Sequence, residues 1–210
     1  MKSKIIYVYD PLCGWCYGFS PVIRKIEEAY SATIDFDIIS GGMVIGDREG
    51  LIADKADYIL SVIPRLEEYT GVIMGEAYKS KLRDKSMYQS SMKPCIALEV
   101  FKSFNNNDAI TFASEIQKAQ YTDGDDLQSH EIYKKLIAPF GIDETEFIKR
   151  LDSAEYLKKT TDAFLLIQSW GITGFPAVIM EHKGQYFLIA KGYLPFDDLQ
   201  KTIESILKKE

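Results

Sequence analysis

Cys13 and Cys16 lie two residues apart in the stretch DPLCGWCYGF, residues 10–19, and the chain has one further cysteine, Cys95. Two thiols at that spacing can form a redox couple, supply half of a zinc site, or sit as inert buried side chains. Zinc needs four ligands. Only Cys95, His130 and His182 remain to complete a set, and none of them is paired at ligand spacing. The redox reading has better local support. IIYVY (5–9) reads as a strand, and a helical pattern starts after the cysteines, so Cys13 falls at a helix start. Backbone N–H groups there lack intrahelical partners and carry partial positive charge, which favours the thiolate, the reactive form of cysteine. Two intervening residues let the sulfurs meet over the first helical turn. Cys13 is then the nucleophile, and Cys16, one turn in, resolves the mixed disulfide.

The neighbouring elements must position this pair. IIYVY is β-branched and aromatic, as suits a strand buried on both faces. Phe19, Val22, Ile23, Ile26, Ala29 and Tyr30 form one apolar helical stripe, with Pro21 predicting a kink. IDFDI (34–38) alternates like a strand, which completes a βαβ unit. Near the other end, AVIM (177–180) and YFLIA (186–190) flank Lys183-Gly184 and predict a β-hairpin. A last helix carries Phe196, Leu199, Ile203, Ile206 and Leu207 on one face, with Pro195 at its start.

About 135 residues separate the two strand groups, far more than a loop of a compact domain spans. Their pattern is helical around Ile52–Ile63, Ala97–Phe104 and Ile110–Gln117. Pro64, Gly71, Gly75, Pro94, Asn105–Asn107, Gly124 and Pro139–Gly141 act as punctuation. The expected architecture is α/β. A discontinuous domain of residues 1–45 and 170–210 carries an inserted all-helical domain of residues 46–169.

The formal net charge is −6 and the hydrophobic content 46%. An acidic protein of this kind has no electrostatic reason to hold nucleic acid or anionic lipid. No apolar run approaches the length of about 18 residues that a membrane span needs. MKSKIIYVYDP lacks the longer apolar region of a secretory signal. The expected location is the cytoplasm, where a cysteine pair that oxidises is transient and catalytic rather than structural.

A strand, a CxxC at a helix start, a helical insertion and GITGFPAV (171–178) ahead of a hairpin together resemble the DsbA family of thioredoxin-fold disulfide oxidoreductases. DPLCGWCYGF is similar to its cytosolic FrnE-like branch. The resemblance spans nearly the whole chain. It implies a thioredoxin-like fold and thiol–disulfide exchange on protein, peptide or small disulfides, with no metal or organic cofactor. A dithiol partner or glutathione would reset the redox state. It further implies that Pro176 follows a cis bond and faces the cysteines, with the backbone of Phe175 turned toward an extended substrate.

Two departures from the family stand out. The DsbA type has His between its cysteines, whereas Gly14-Trp15 stands here. Trp carries no charge, so the expected couple is milder, roughly −270 to −180 mV. Many thioredoxin-fold enzymes keep a buried carboxylate six residues before the first cysteine, where this chain has Tyr7. Asp10 is the nearest acid, and either assists proton transfer or forms a turn. Trp15 and Gly14 are candidate substrate contacts, Trp15 otherwise packing on the insertion. Gly41-Gly42-Met43 either leaves room for substrate or allows a tight turn. Cys95 reads as a small buried hydrophobe or a third reactive thiol, and YQSSMKP (88–94) as a possible groove lining. Two rival functions remain open. One is a DsbA-like adaptor presenting a client to a protease. The other is a glutathione-dependent isomerase or transferase of the kappa type, whose relatives usually carry Ser at the nucleophile position.

Overall fold

The computed structural model describes residues 2–208. Strand β1 (Ser3–Tyr9) leads into helix α1 (Gly14–Tyr30), and β2 (Ile34–Ser40) returns parallel to β1. Strands β5 (Ala177–His182) and β6 (Gln185–Lys191) form the expected hairpin, with Lys183 and Gly184 both at positive φ, 51° and 77°. Two such residues match the right-handed twist of the strands they join. β5 pairs antiparallel with β1, giving the order β2-β1-β5-β6.

β1 is buried on both faces, as its composition predicts. Ile5, Tyr7 and Tyr9 join the core under α1 and the last helix, α9 (Phe196–Leu207). Ile6 and Val8 point the other way, where Ile167 covers them together with Ile39 and Ile179. Ile167 belongs to α8 (Ala154–Ser169), which packs on β2. The fold is thus a thioredoxin-like sheet with helices on both faces.

The stretch between β2 and β5 is mostly helical. Two-residue strands β3 (Gly50–Leu51) and β4 (Tyr88–Gln89) pair with each other. Around them run α2 (Ala53–Thr70), α3 (Glu76–Arg83), α4 (Met92–Phe104), α5 (Ala109–Tyr121), α6 (His130–Ile137) and α7 (Glu144–Leu151). Pro64, expected as punctuation, lies inside α2. Its neighbours Ile63 and Leu66 are buried with Met74 and Tyr78, and that packing outweighs one lost backbone bond. Pro94 is the third residue of α4, still in the first turn, where no intrahelical acceptor waits for its missing N–H. The core under α1 continues without a break into α4, α5, α6 and α7.

Topology brings the reactive segments together. In the parallel β1–β2 pair, Tyr9 lies beside Ser40, so the cysteine loop and Gly41–Met43 leave the sheet at one edge. β5 runs the opposite way, and Ala177 lies beside Val8, so Phe175-Pro176 enters at that same edge.

Candidate active site

Cys13 is the N-cap of α1, in an extended conformation (φ −91°, ψ 108°). Its Sγ accepts from the backbone N–H of Cys16 at 3.3 Å and donates to the carbonyl of Phe175 at 3.5 Å. The first contact places the sulfur at the end of α1 that favours negative charge. The second couples it to the loop ahead of Pro176. The Phe175–Pro176 bond is cis. Both cysteines are free thiols, Cys13 only 5% exposed and Cys16 fully buried. Burial, and then the Cys13 sulfur beside it, holds the Cys16 thiol well above its ordinary value.

Asp10 is fully buried under this loop. Its carboxylate accepts from Leu12 N at 2.9 Å, Met43 N at 2.6 Å and Ser91 Oγ at 2.8 Å. It therefore turns the cysteine loop and also ties it to the Gly41–Met43 segment and to the start of α4. Burial pushes its carboxyl up to about 6, although the three donors pull it down. Tyr7, six residues before Cys13, donates only a long hydrogen bond to the Cys16 carbonyl, 3.5 Å, and burial holds its hydroxyl well above its ordinary value.

The remaining sequence candidates fall in varied places. Trp15 is 37% exposed beside Cys13, and its ring leans edge-on against Tyr69 of α2, centroids 6.1 Å apart. Gly14 packs toward the helical segment, where a Cβ would meet Leu66 Cδ1 at 3.2 Å and Met74 Cε at 3.3 Å. A Cβ on Gly41 would lie 2.0 Å from Phe175 Cζ, so that glycine lets the Phe175 ring rest on the backbone. Cys95 is fully buried, and burial followed by the nearby Asp10 charge raises its thiol. Of YQSSMKP, Ser91 reaches the cysteine loop from below through Asp10. His130 meets Asp152, and His182 meets Ser3, both far from Cys13 in the chain. Among the described residues, no three His, Cys, Asp or Glu side chains gather as metal ligands.

A groove of about 550 Å³ adjoins Phe175, walled by Gly41, Gly42, Met43, Phe164 and Arg48. Sequence reasoning missed Arg48 and Phe164. The paired glycines were the available signal, because a Cβ on Gly42 would lie 2.9 Å from the Phe164 ring. A second cavity, about 570 Å³, lies beside Trp170, Tyr186 and Leu188, and the lining of neither cavity includes a cysteine.

The sequence pattern of the DSBA-like thioredoxin domain matches residues 4–204, and the chain belongs to that family of thiol–disulfide oxidoreductases and isomerases. No curated protein matches it in sequence. Among solved structures it is similar to a protein disulfide isomerase candidate from Nitrosomonas europaea, 28% identical, covering 99% of this chain and 98% of that one, TM-score 0.86. It is also similar to the cytosolic disulfide reductase DsbM from Pseudomonas aeruginosa, 26% identical over 98% of each chain, TM-score 0.80. The DsbM structure with GSH aligns at 23% identity over 98% of this chain and 100% of that one, TM-score 0.78. No helix among the described residues is long and apolar enough to cross a membrane.

Proposed function

We propose that this member of the DsbA-like thioredoxin family exchanges disulfides through Cys13 and Cys16. One observation carries the reading. The Cys13 sulfur is held between the Cys16 N–H in the first turn of α1 and the carbonyl of Phe175, a residue that also walls a groove. Cys13 as thiolate attacks one sulfur of a substrate disulfide, forming a mixed disulfide and releasing the first thiolate. Cys16 loses its proton, attacks the Cys13 sulfur and releases the second. Two electrons pass from the protein dithiol to the substrate, and the two protein protons end on the released thiols. No cofactor enters this balance. Buried Cys16 needs a base as it attacks. Asp10, raised to about 6 by burial and buried in the loop that its carboxylate turns through Leu12 N, is the base we assign.

The backbone of Phe175 ahead of Pro176 would align an extended peptide by strand-like hydrogen bonds, with Trp15 as an apolar contact. Similarity to a cytosolic reductase supports a cytoplasmic setting, and its complex with GSH supports glutathione as co-substrate. The placement in a FrnE-like branch rests on DPLCGWCYGF.

The test is the redox equilibrium of the purified protein in graded glutathione buffers, followed by alkylation of Cys13 and Cys16. A reversible two-electron couple between roughly −270 and −180 mV is expected. A pair that stays reduced throughout would overturn the reading and favour the adaptor function.

A further inference from the structure

The groove beside Phe175 carries one charged side chain, Arg48. Arg48 is exposed and spends one N–H on the Gly42 carbonyl at 3.2 Å. No ion pair among the described residues engages it. A guanidinium has five N–H donors in a planar fork that fits a carboxylate bidentately. The neighbouring carboxylates do not take that role. Glu49 instead accepts from Ser90, and Asp10 is occupied by Leu12, Met43 and Ser91.

The setting selects what the fork can receive. The chain as a whole is acidic, net −6, and discourages anions elsewhere. The groove is also walled by apolar Phe164, Met43 and Phe175 and by the uncharged polar Thr161, Gln168 and Thr173, and measures about 550 Å³, within the range of roughly 300–1,000 Å³ typical of small-ligand sites. It begins at Phe175, whose carbonyl holds the Cys13 sulfur at 3.5 Å. Phe175 thus borders both the Cys13 sulfur and the groove.

We infer that this groove is the carboxylate subsite for a small, peptide-like thiol or disulfide of the glutathione type. Arg48 receives a carboxylate while the ligand sulfur lies at Cys13. The inference takes its chemistry from the exchange reading. The reduced pair plus glutathione disulfide gives the Cys13–Cys16 disulfide plus two glutathiones, and the two protein thiols supply the protons.

The experiment compares kcat/KM for glutathione disulfide and for its tetraethyl ester, whose carboxylates are capped, in wild type and Arg48→Met. The ratio of acid to ester is expected to fall about tenfold in the variant, or about 1.4 kcal/mol. The ratio cancels any effect of Arg48 on Asp10 or on Cys13 itself. A ratio unchanged within about twofold overturns the subsite. Binding of S-methylglutathione, which has no free thiol, is measured alongside by calorimetry. Its Kd should weaken about tenfold in Arg48→Met, with Arg48→Lys between. If neither disulfide is turned over but this binding still depends on Arg48, the exchange reading falls and the subsite stands. Equal binding by wild type and Arg48→Met overturns the subsite whatever the kinetics.

Discussion

Replacing Asp10 by Asn tests whether burial sets the acid–base chemistry beneath the cysteines. The carboxyl is raised from 3.8 to about 6, chiefly by burial. A group whose folded value lies above its unfolded one binds its proton more tightly in the fold. Its stabilising contribution is full below about pH 4 and is lost as pH rises through about 6. A gap of about two units corresponds to ~3 kcal/mol. Ionising Asp10 at neutral pH therefore costs the fold about that much.

Asp10→Asn cannot ionise, but it creates a conflict of its own. Leu12 N and Ser91 Oγ point at one oxygen and Met43 N at the other. Either orientation of the amide sets its NH2 against a backbone N–H, at a cost of about 1–3 kcal/mol. At pH 7 the two effects oppose each other, so stability there is a poor readout and the slope is a good one. Urea unfolding from pH 4 to 7.5 should show the wild-type minus variant difference falling by ~3 kcal/mol. Glu27, raised to about 7 by burial and then by Asp108, slopes the same way in both proteins and cancels. A difference that stays flat within about 1 kcal/mol would refute the reasoning, because Asp10 would then titrate as it does in the unfolded chain.

Cys16→Ser should accumulate a mixed disulfide at Cys13 when offered a disulfide substrate, and Cys13→Ser should form none; intact-mass spectrometry separates them. Cys95 is fully buried with its thiol raised by that burial. Iodoacetamide at pH 8 should therefore label it at least a hundredfold more slowly than Cys13 in the native protein, and at an ordinary rate in urea, read by peptide mapping. Gly41→Ala would drive a Cβ into the Phe175 ring. It should cost about 1–3 kcal/mol of stability and slow exchange. Gly174→Ala, whose Cβ meets nothing within 4 Å, should leave stability nearly unchanged in the same urea titration.

What could be read from sequence divides by distance along the chain. Cys13 and Cys16 meet because a single helical turn places them, and that placement was legible from one ten-residue stretch. The hairpin was legible because its turn residues sit between its strands. Helix α8 was harder. Its buried Tyr156, Thr160, Phe164 and Ile167 keep helical spacing, but exposed Leu157, Leu165 and Leu166 blur the stripe. Arg48 gave no signal, because an arginine between two acids in GDREG looks like any solvated turn.

Asp10 marks where local reading stops. Its type and its place three residues before Cys13 were visible, and both a turn role and a proton role could be named. The structure realises the turn through Leu12 N, two residues on. The proton affinity has another origin. Burial raises it, and donors far away in sequence, Met43 N, 33 residues on, and Ser91 Oγ, 81 residues on, pull it back down. Neither touches a cysteine in the hydrogen-bond network, yet both help fix how readily the buried carboxylate takes a proton. In the proposed exchange the cysteine motif would set the reaction, and the helical segment, through Ser91 at the start of α4, would tune the acid–base step at Asp10. A chain with the same cysteine motif and no donor at position 91 is expected to differ in pH dependence. Conversely, Ser91→Ala, which removes one donor to Asp10, should raise that carboxyl further and move the pH dependence of exchange upward without altering either thiol's identity.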